Sequence, residues 1–422
     1  MKSHDNVSPS AVPRLLPLSD EQDYFFNLNE TLAGNLLKIA LTIEFPQRIP
    51  PETIAKTVEN CMSNADIFSA QIVASNRGCF MAFHPCQPCH IPIVNFASRD
   101  DFDHFIRHDP AVTINNRDKL FGGIIYSIAD SMHHIYFCFN HVIFDGYSAL
   151  SLKDKICASL SSGQATVSWY PFARHLEDIA RYRASKKYPR DAAIWVKKFA
   201  ELGQAEPLFP ALLGQSDAIV QRLSLPGAQE LKTALDEYGR QNNVSPHMVI
   251  VAALARHLRK TTGRKRFVIE IPIANRVGIN EKNSLGAYEI TTPIIFDFSR
   301  SDDLPTCIEA VKNQSRNTYR CRHYDWNKKV YADSFSKQYG QYAPQVCFSY
   351  YCQNNRECQS IATLNYLYPE REPMPLTIHV SDFQDAKTMV FSYLYWAHFF
   401  TAADLTDLHR QLIADIAALT HR

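Results

Sequence analysis

Residues 137–148, which read FCFNHVIFDGYS, decide how the fold of this chain is interpreted. Two runs rich in β-branched and aromatic residues, 124–128 and 135–139, flank a short polar segment. This pattern is typical of a β-hairpin. The second predicted strand is buried and ends just before His141, at the edge of a sheet. A side chain there can face a cavity while its backbone stays rigid, and rigid placement is what acid–base catalysis requires.

The spacing His-x3-Asp-Gly, formed by His141, Asp145 and Gly146, has a physical interpretation. Histidine is the side chain best able to accept a proton near neutral pH. An Asp four residues later can support the imidazole or anchor the turn, and Gly lets the backbone turn sharply beside a ligand. The pattern alone fits a catalytic histidine and a buried structural histidine about equally well, because so few fixed positions are weak evidence.

The stretch resembles the HHxxxDG signature of the condensation domains of nonribosomal peptide synthetases, whose superfamily includes chloramphenicol acetyltransferase. Asn140 stands where the signature has its first histidine, and His141 matches the second. The resemblance implies that His141 is the catalytic histidine. Asn140 can supply a hydrogen bond at its position but cannot act as a base.

Other motifs follow in the order that the family has them, from about residue 16 to residue 420. Ser19 and Gln22 resemble the opening SxxQ motif, and their spacing is that of a capping box at a helix start. Residues 271–276 (IPIANR) resemble the GxPxxxR element, and residues 285–296 (LGAYEITTPIIF) resemble the GxFVNTLP element. The order and spacing of these motifs carry the resemblance more than any single one does.

Two further segments have helical patterns. Residues 50–64 place apolar side chains four apart on one face, which predicts an amphipathic helix. Residues 176–200 are also expected to be helical, with a break at Tyr188–Pro189.

Bulk properties exclude several classes of protein. A chain of 422 residues is long enough for two lobes of about 200 residues each. The formal net charge of +1 gives no reason to expect nucleic acid as a partner. No apolar run approaches the roughly 20 residues of a membrane span, so no membrane association is expected. The N-terminal residues lack the apolar core of a secretory signal, which favours a cytoplasmic protein.

The 11 cysteines are mostly single and odd in number, as expected for free thiols in a reducing compartment. Cys86, Cys89 and His90 fit the Cys-x-x-Cys-His pattern of c-type haem attachment. Haem attachment requires export, and no export signal is visible. We therefore expect neither a metal site nor a permanently bound cofactor.

The resemblance implies an α+β fold, a pseudo-dimer of two chloramphenicol-acetyltransferase-like lobes, each an α/β two-layer sandwich. A substrate tunnel is expected to run between the lobes. We expect residues 1–13 to be a loose tail, residues 14–178 to form the N-terminal lobe with the NHVIFDG motif, and residues 179–422 to form the C-terminal lobe.

Roles for individual residues also come from the resemblance. His141 is expected to orient or deprotonate the acceptor, and the backbone of Gly146 to lie beside the reacting carbonyl. Tyr147 and Ser148 are expected to line the substrate tunnel.

Two more residues support the site by the same resemblance. Asp145 is expected to be structural and paired with Arg276, rather than a proton carrier. Two surface charges are the alternative reading of these side chains.

The resemblance implies a condensation enzyme that forms an amide or an ester in natural-product biosynthesis. A carrier protein acting in trans would present a peptidyl or polyketide acyl group on its phosphopantetheine arm, and a small amine or alcohol would accept it. A free-standing monomer is expected. One alternative is an O- or N-acyltransferase that uses acyl-coenzyme A, although the DFGWG motif of plant-type members is absent. A second is a non-catalytic carrier-docking module, and a third is an epimerisation domain, since such domains share the HHxxxDG motif.

Overall fold

The structure is a computed structural model of the 422-residue chain. It describes residues 13–31, 37–76, 78–86, 88–129, 131–163, 167–213, 215, 218–324, 326–330, 337–338, 344–353, 362–383 and 388–420. The tail predicted for residues 1–13 lies almost wholly outside these ranges. None of the helices in the described ranges is long and apolar enough to cross a membrane.

The described strands are β1 Arg14–Pro17, β2 Lys38–Glu44, β3 Ala70–Ser75, β4 Gly78–Phe83, β5 Ile93–Phe96, β6 Phe121–Ile128, β7 His134–Asn140, β8 Ala218–Pro226, β9 Arg266–Ile273, β10 Ile290–Asp297, β11 Val346–Gln353, β12 Thr363–Leu367, β13 Arg371–Glu372, β14 Leu376–Phe383 and β15 Val390–Trp396. The described helices are α1 Asp20–Thr31, α2 Pro51–Ser63, α3 Arg99–His108, α4 Gly146–Ser162, α5 Phe172–Arg183, α6 Lys187–Leu202, α7 Leu231–Asn242, α8 Pro246–Thr262, α9 Ile279–Lys282, α10 Leu304–Arg320, α11 Trp326–Val330 and α12 Ala402–Thr420. Short 3₁₀ turns cover Asp66–Ser69 and Pro210–Leu212.

The chain divides into two compact units. Unit 1 contains Met1–Arg181, Arg276–Ala287 and Ile361–Leu367, and unit 2 contains Tyr182–Asn275, Tyr288–Ser360 and Tyr368–Arg422. The chain first passes from unit 1 to unit 2 after Arg181, which is three residues beyond the boundary predicted after residue 178. The C-terminal lobe was predicted as one continuous segment, residues 179–422. In the structure, two segments of that range, Arg276–Ala287 and Ile361–Leu367, belong to unit 1.

Unit 1 is built on a five-stranded sheet in the order β12-β2-β7-β6-β5, with a separate three-stranded sheet β1-β4-β3. The predicted hairpin is present as the antiparallel pair β6–β7, in which Ile125 faces Ile135. β2 pairs antiparallel with the other edge of β7, so β7 is a central strand. Its residues from Ile135 to Asn140 are all buried. The segment that follows β7 therefore starts from a rigid, fully paired strand.

Helix α1 begins with the capping box predicted from the sequence. The Ser19 backbone N–H donates to Gln22 Oε1 over 3.1 Å, and the Gln22 N–H donates to Ser19 Oγ over 3.2 Å. These two bonds satisfy backbone donors that a helix start otherwise leaves open.

Unit 2 is built on a seven-stranded sheet in the order β10-β9-β11-β14-β15-β8-β13. Helix α8 is buried from Val249 to Leu258, except for Arg256, and packs with α7, α10 and α12 against one face of this sheet. Side chains from α6 and α11, among them Trp195 and Trp326, cover Val268 and Ile295 on β9 and β10. Both units thus combine sheets with helices that cover them, as an α+β fold requires.

The helix predicted over residues 176–200 is interrupted earlier than expected. α5 ends at Arg183 and α6 begins at Lys187, so the break precedes Tyr188–Pro189. Pro189 lies in the first turn of α6, where a missing N–H costs nothing. The prediction of a break at the proline itself was therefore wrong.

Candidate active site

His141 lies in a five-residue loop between a strand and a helix. β7 ends at Asn140, and Asp145 is the N-cap residue of α4. The His141 backbone N–H donates to the Leu37 carbonyl over 3.0 Å, which continues the contact between this loop and the start of β2. The sequence thus fastens the histidine loop at both ends.

Asp145 and Arg276 form a fully buried ion pair within unit 1. Arg276 Nη1 donates to Asp145 Oδ2 over 2.6 Å, and the two side chains are 0% and 1% exposed. The other Asp145 oxygen accepts from the Ser148 N–H over 2.7 Å and so caps α4. The contact expected between Asp145 and Arg276 is present, and the reading of two surface charges is wrong.

The remaining donors of the Arg276 guanidinium bind Ser148 on α4 and the segment that follows Arg276. Nη2 donates to Ser148 Oγ over 2.7 Å and to the Gly286 carbonyl over 3.0 Å, and Nε donates to the Glu281 carbonyl over 3.1 Å. A buried charge is tolerated only when it is paired and its other hydrogen-bonding groups are satisfied.

Ser148 belongs to this network. Its buried hydroxyl donates to the Gly286 carbonyl over 2.9 Å and accepts from the Gly286 N–H over 3.0 Å. The Ser148 side chain lies in an internal hydrogen-bond network in which both its donor and its acceptor sites are used, and its tunnel role stays a prediction.

Gly286 occupies a position that only glycine fits. Its φ of +155° is rare for other residues, and an added Cβ would lie 2.0 Å from Phe172 Cδ2. The glycine lets the backbone approach both Ser148 and the Phe172 ring.

Asn140 is wholly engaged in internal hydrogen bonds. Its Oδ1 accepts from the Val142 N–H over 2.9 Å and from Asn29 Nδ2 over 3.3 Å. Its Nδ2 donates to the Asn115 carbonyl over 3.0 Å and to Asn116 Oδ1 over 3.3 Å. An amide has two donors and an oxygen with two lone pairs, so Asn140 has no hydrogen bond left for a substrate. Asn140 supplies hydrogen bonds, as expected, and they go to groups of the protein itself.

The imidazole of His141 is half-buried against an aromatic ring. The Phe25 ring stacks on it with centroids 4.4 Å apart and planes inclined by 28°. Burial lowers the pKa of His141 below its usual 6.5, partly opposed by hydrogen bonding to its own backbone and by the negative charge of Asp145. The lowered pKa favours the neutral imidazole, which is the form that can accept a proton.

Gly146 and Tyr147 open helix α4. The Gly146 carbonyl accepts from the hydroxyl of Tyr366, a residue of β12, over 3.1 Å. The Arg276 guanidinium lies over the Tyr147 ring, 4.6 Å from its centroid, and Tyr147 is half-buried. The tunnel role of Tyr147 stays a prediction.

Sequence reasoning missed four residues that hold the histidine loop. Gln22 was noticed only as part of a capping box, yet its Nε2 donates to the Val142 carbonyl over 2.7 Å. Phe25, Asn29 and Asn116 were not noticed. The spacing of residues 22, 25 and 29 places them on one face of a helix, which is the signal that was available.

The Cys-x-x-Cys-His segment, residues 86–90, is not part of a metal-binding cluster among the described residues. Cys86 is exposed, and His90 Nδ1 lies 3.1 Å from Glu59 Oε1. Within the described ranges, no three His, Cys, Asp or Glu side chains are grouped so as to hold a metal ion.

The family model described as Condensation domain matches residues 13–421. The chain belongs to the condensation-domain family. Members of this family are acyltransferases that form amide or ester bonds, so the chain is an acyltransferase. The family predicted from the NHVIFDG motif is confirmed.

The curated relatives are much longer than this chain. Surfactin synthase subunit 1 of Bacillus subtilis (strain 168) is 22% identical over 309 residues, which are 72% of this chain and 9% of the relative. Enterobactin synthase component F of Escherichia coli O157:H7 is 26% identical over 212 residues, which are 48% of this chain and 16% of the relative. The chain therefore spans a small part of either synthetase.

Solved condensation domains share the fold over nearly the full length. The first condensation domain of the calcium-dependent antibiotic synthetase, in complex with a substrate analogue, has a TM-score of 0.77 at 15% identity and 97% coverage of both chains. A mutant starter condensation domain of rhizomide synthetase RzmA, in complex with C8-CoA, has a TM-score of 0.78 at 18% identity, with 97% of this chain and 95% of that chain covered. The predicted α+β fold class is confirmed, whereas the tunnel between the lobes stays a prediction.

Removing one member of the buried ion pair is expected to destabilise the protein strongly. Asp145→Ala leaves the Arg276 charge buried without its partner and removes the cap of α4, so the free energy of unfolding should fall by about 3–5 kcal/mol. Urea denaturation measures this. The exposed pair Arg99–Asp103 is the control, and Asp103→Ala should cost less than about 1 kcal/mol. An Asp145→Ala protein as stable as the wild type would contradict the structural role.

Proposed function

We propose that this chain transfers an acyl group from a phosphopantetheine thioester to an amine or hydroxyl acceptor, forming an amide or an ester. The donor is a peptidyl or polyketide group on a carrier protein acting in trans, in natural-product biosynthesis. No resident cofactor is needed, because the phosphopantetheine arm arrives with the donor.

The proposed step balances without any other reagent. The acceptor nitrogen or oxygen attacks the thioester carbonyl, the new C–N or C–O bond forms, and the C–S bond breaks. His141 takes the proton that the acceptor loses and returns it to the leaving thiolate. The backbone of Gly146, at the N-terminus of α4, lies beside the carbonyl, where partial positive charge favours a developing oxyanion.

The observation that carries this proposal is the state of His141. It lies at the end of a fully paired central strand, in a loop anchored by a buried ion pair at one end and a buried amide cluster at the other, and burial lowers the pKa of its imidazole. A non-catalytic docking module has no need of a histidine whose backbone is held so firmly.

A second donor is supported by a specific finding. The RzmA starter condensation domain was solved with C8-CoA, which carries the same phosphopantetheine thioester chemistry without a carrier protein. An acyl-coenzyme A donor is therefore the second candidate for this chain.

The proposed function is tested by following the acyl-loaded carrier with intact-protein mass spectrometry. The carrier is incubated with the enzyme and a mixed pool of amines and alcohols. We expect unloading that requires both enzyme and acceptor and that fails with His141→Ala. Turnover of acyl-coenzyme A alone would favour the second donor. Carrier binding without turnover of either donor would contradict an enzyme and favour a docking module.

The acceptor type is expected to decide how much His141 matters. A positioned base contributes about 10²–10⁴ in rate, and orientation of the reactants can contribute about 7–11 kcal/mol. An amine is already nucleophilic, whereas a hydroxyl must lose its proton during attack. His141→Ala should therefore reduce kcat more with an alcohol than with a matched amine, and equal losses would contradict a base role.

The pH dependence of transfer to an alcohol is expected to follow the ionisation of His141. Because burial lowers the pKa of His141 from 6.5, and only the neutral form accepts a proton, kcat/KM should fall as the pH drops through a midpoint below 6.5. Between about pH 7 and 8 the profile should be flat, since the imidazole is already neutral. An alcohol is used because it does not titrate there. A midpoint above 6.5 would contradict the assignment.

A further inference from the structure

We infer that one face of helix α1, formed by Gln22, Phe25 and Asn29, fixes the position of His141. These three are positioning residues for the acyl transfer proposed above, and the inference rests on that proposed function. They recur at positions i, i+3 and i+7, so their side chains project from the same side of the helix.

Gln22 is the first contact, and its amide has two separate tasks. Its Oε1 accepts from the Ser19 N–H in the capping box, while its Nε2 donates to the Val142 carbonyl over 2.7 Å. Val142 directly follows His141, and its own N–H is held by Asn140 Oδ1 over 2.9 Å. Both backbone polar groups of the residue next to His141 are thus held by side-chain amides.

Phe25 is the second contact and acts on the imidazole itself. Its buried ring stacks on the His141 ring at a centroid separation of 4.4 Å. A flat aromatic surface limits rotation of the imidazole, because a ring turned well beyond its 28° inclination would collide with it.

Asn29 is the third contact and links Leu37, which precedes β2, to Asn140, the residue before His141. Its Oδ1 accepts from the Leu37 N–H over 2.6 Å, and its Nδ2 donates to Asn140 Oδ1 over 3.3 Å. Leu37 in turn accepts from the His141 N–H. Asn29 therefore orients the groups that hold the backbone before and at His141.

Asn116 connects helix α1 to the cluster of amide side chains around Asn140. Its Nδ2 donates to the Phe26 carbonyl over 3.2 Å and to Glu30 Oε1 over 2.7 Å, and its Oδ1 accepts from Asn140 Nδ2. A shift of α1 would therefore disturb the amide cluster and the imidazole together. We expect misplacement of His141 by about 1 Å to cost up to about 10²-fold in rate.

The decisive comparison is Gln22→Glu against Ser19→Ala. Gln22→Glu keeps an acceptor for the Ser19 N–H but replaces the donor that faces the Val142 carbonyl by a carboxylate oxygen. Ser19→Ala weakens the capping box and leaves the Val142 bond intact.

We expect kcat with an alcohol acceptor to fall about 10- to 100-fold in Gln22→Glu, with KM changed less than about 3-fold. In Ser19→Ala, and in Asn27→Ala on the exposed face of α1, kcat should change less than about 2-fold. Equal kcat losses in Gln22→Glu and Ser19→Ala would overturn the inference.

A second pair of variants tests the stacking contact without relying on Gln22. Phe25→Leu keeps an apolar side chain but removes the flat ring, whereas Phe25→Tyr keeps the ring. We expect Phe25→Leu to lower kcat about 10-fold at similar KM, and Phe25→Tyr to restore it. Loss of kcat in both variants, or in neither, would overturn the role of stacking.

An NMR readout separates this inference from the proposed function. In protein with labelled histidines, the His141 ring signal is identified by its loss in His141→Ala and is shifted by the ring current of Phe25. Phe25→Leu and Gln22→Glu should move that signal, and Asn27→Ala should not. A wild-type protein without transferase activity would contradict the proposed function, while an unmoved signal would overturn the positioning role of α1.

Discussion

The buried ion pair between Asp145 and Arg276 is the interaction on which the rest of unit 1 depends. Asp145 caps α4 with one oxygen and pairs with Arg276 through the other. Arg276 begins a segment, Arg276–Ala287, whose neighbours on both sides in the chain belong to unit 2. The contacts of Arg276 with Asp145 and of Gly286 with Ser148 tie the two ends of that segment to α4. Because buried polar groups must be hydrogen-bonded, Asp145 and Ser148 depend on the segment Arg276–Ala287 packing within unit 1.

The substitution of Asn for the first histidine of the signature has a simple physical account. The slot requires an acceptor for the Val142 N–H and a donor toward the Asn115 carbonyl, and Asn140 supplies both. An amide does not titrate, so this anchor is the same at every pH, whereas a histidine would change its hydrogen bonding on protonation. The slot therefore needs hydrogen-bonding geometry and not basicity, which agrees with the proposed role of His141 in proton transfer.

The sequence predicted most of the features that depend on local patterns. The hairpin before His141 and the capping box at Ser19 follow from residue spacing, and both are present. The pairing of Asp145 with Arg276, 131 residues apart, was expected only from a family motif, because no local pattern links such distant residues. The helix break was placed wrongly at Pro189, since a proline is tolerated in a first helical turn. The burial of the Ser148 hydroxyl depends on the path of Gly286, which spacing alone does not reveal.

The two anchors of the histidine loop also explain why burial decides the charge of His141. Asp145, four residues away, raises the pKa of the imidazole by its negative charge. Arg276 lies 2.6 Å from that carboxylate and neutralises it, so little net charge remains to stabilise an imidazolium. On the other side of the loop Gln22, Asn29 and Asn140 bring only uncharged amides. With the charges compensated, desolvation dominates and the pKa falls. A side chain held in this way accepts a proton only transiently, which suits the proposed role of a base that returns the proton to the leaving thiolate in the same turnover.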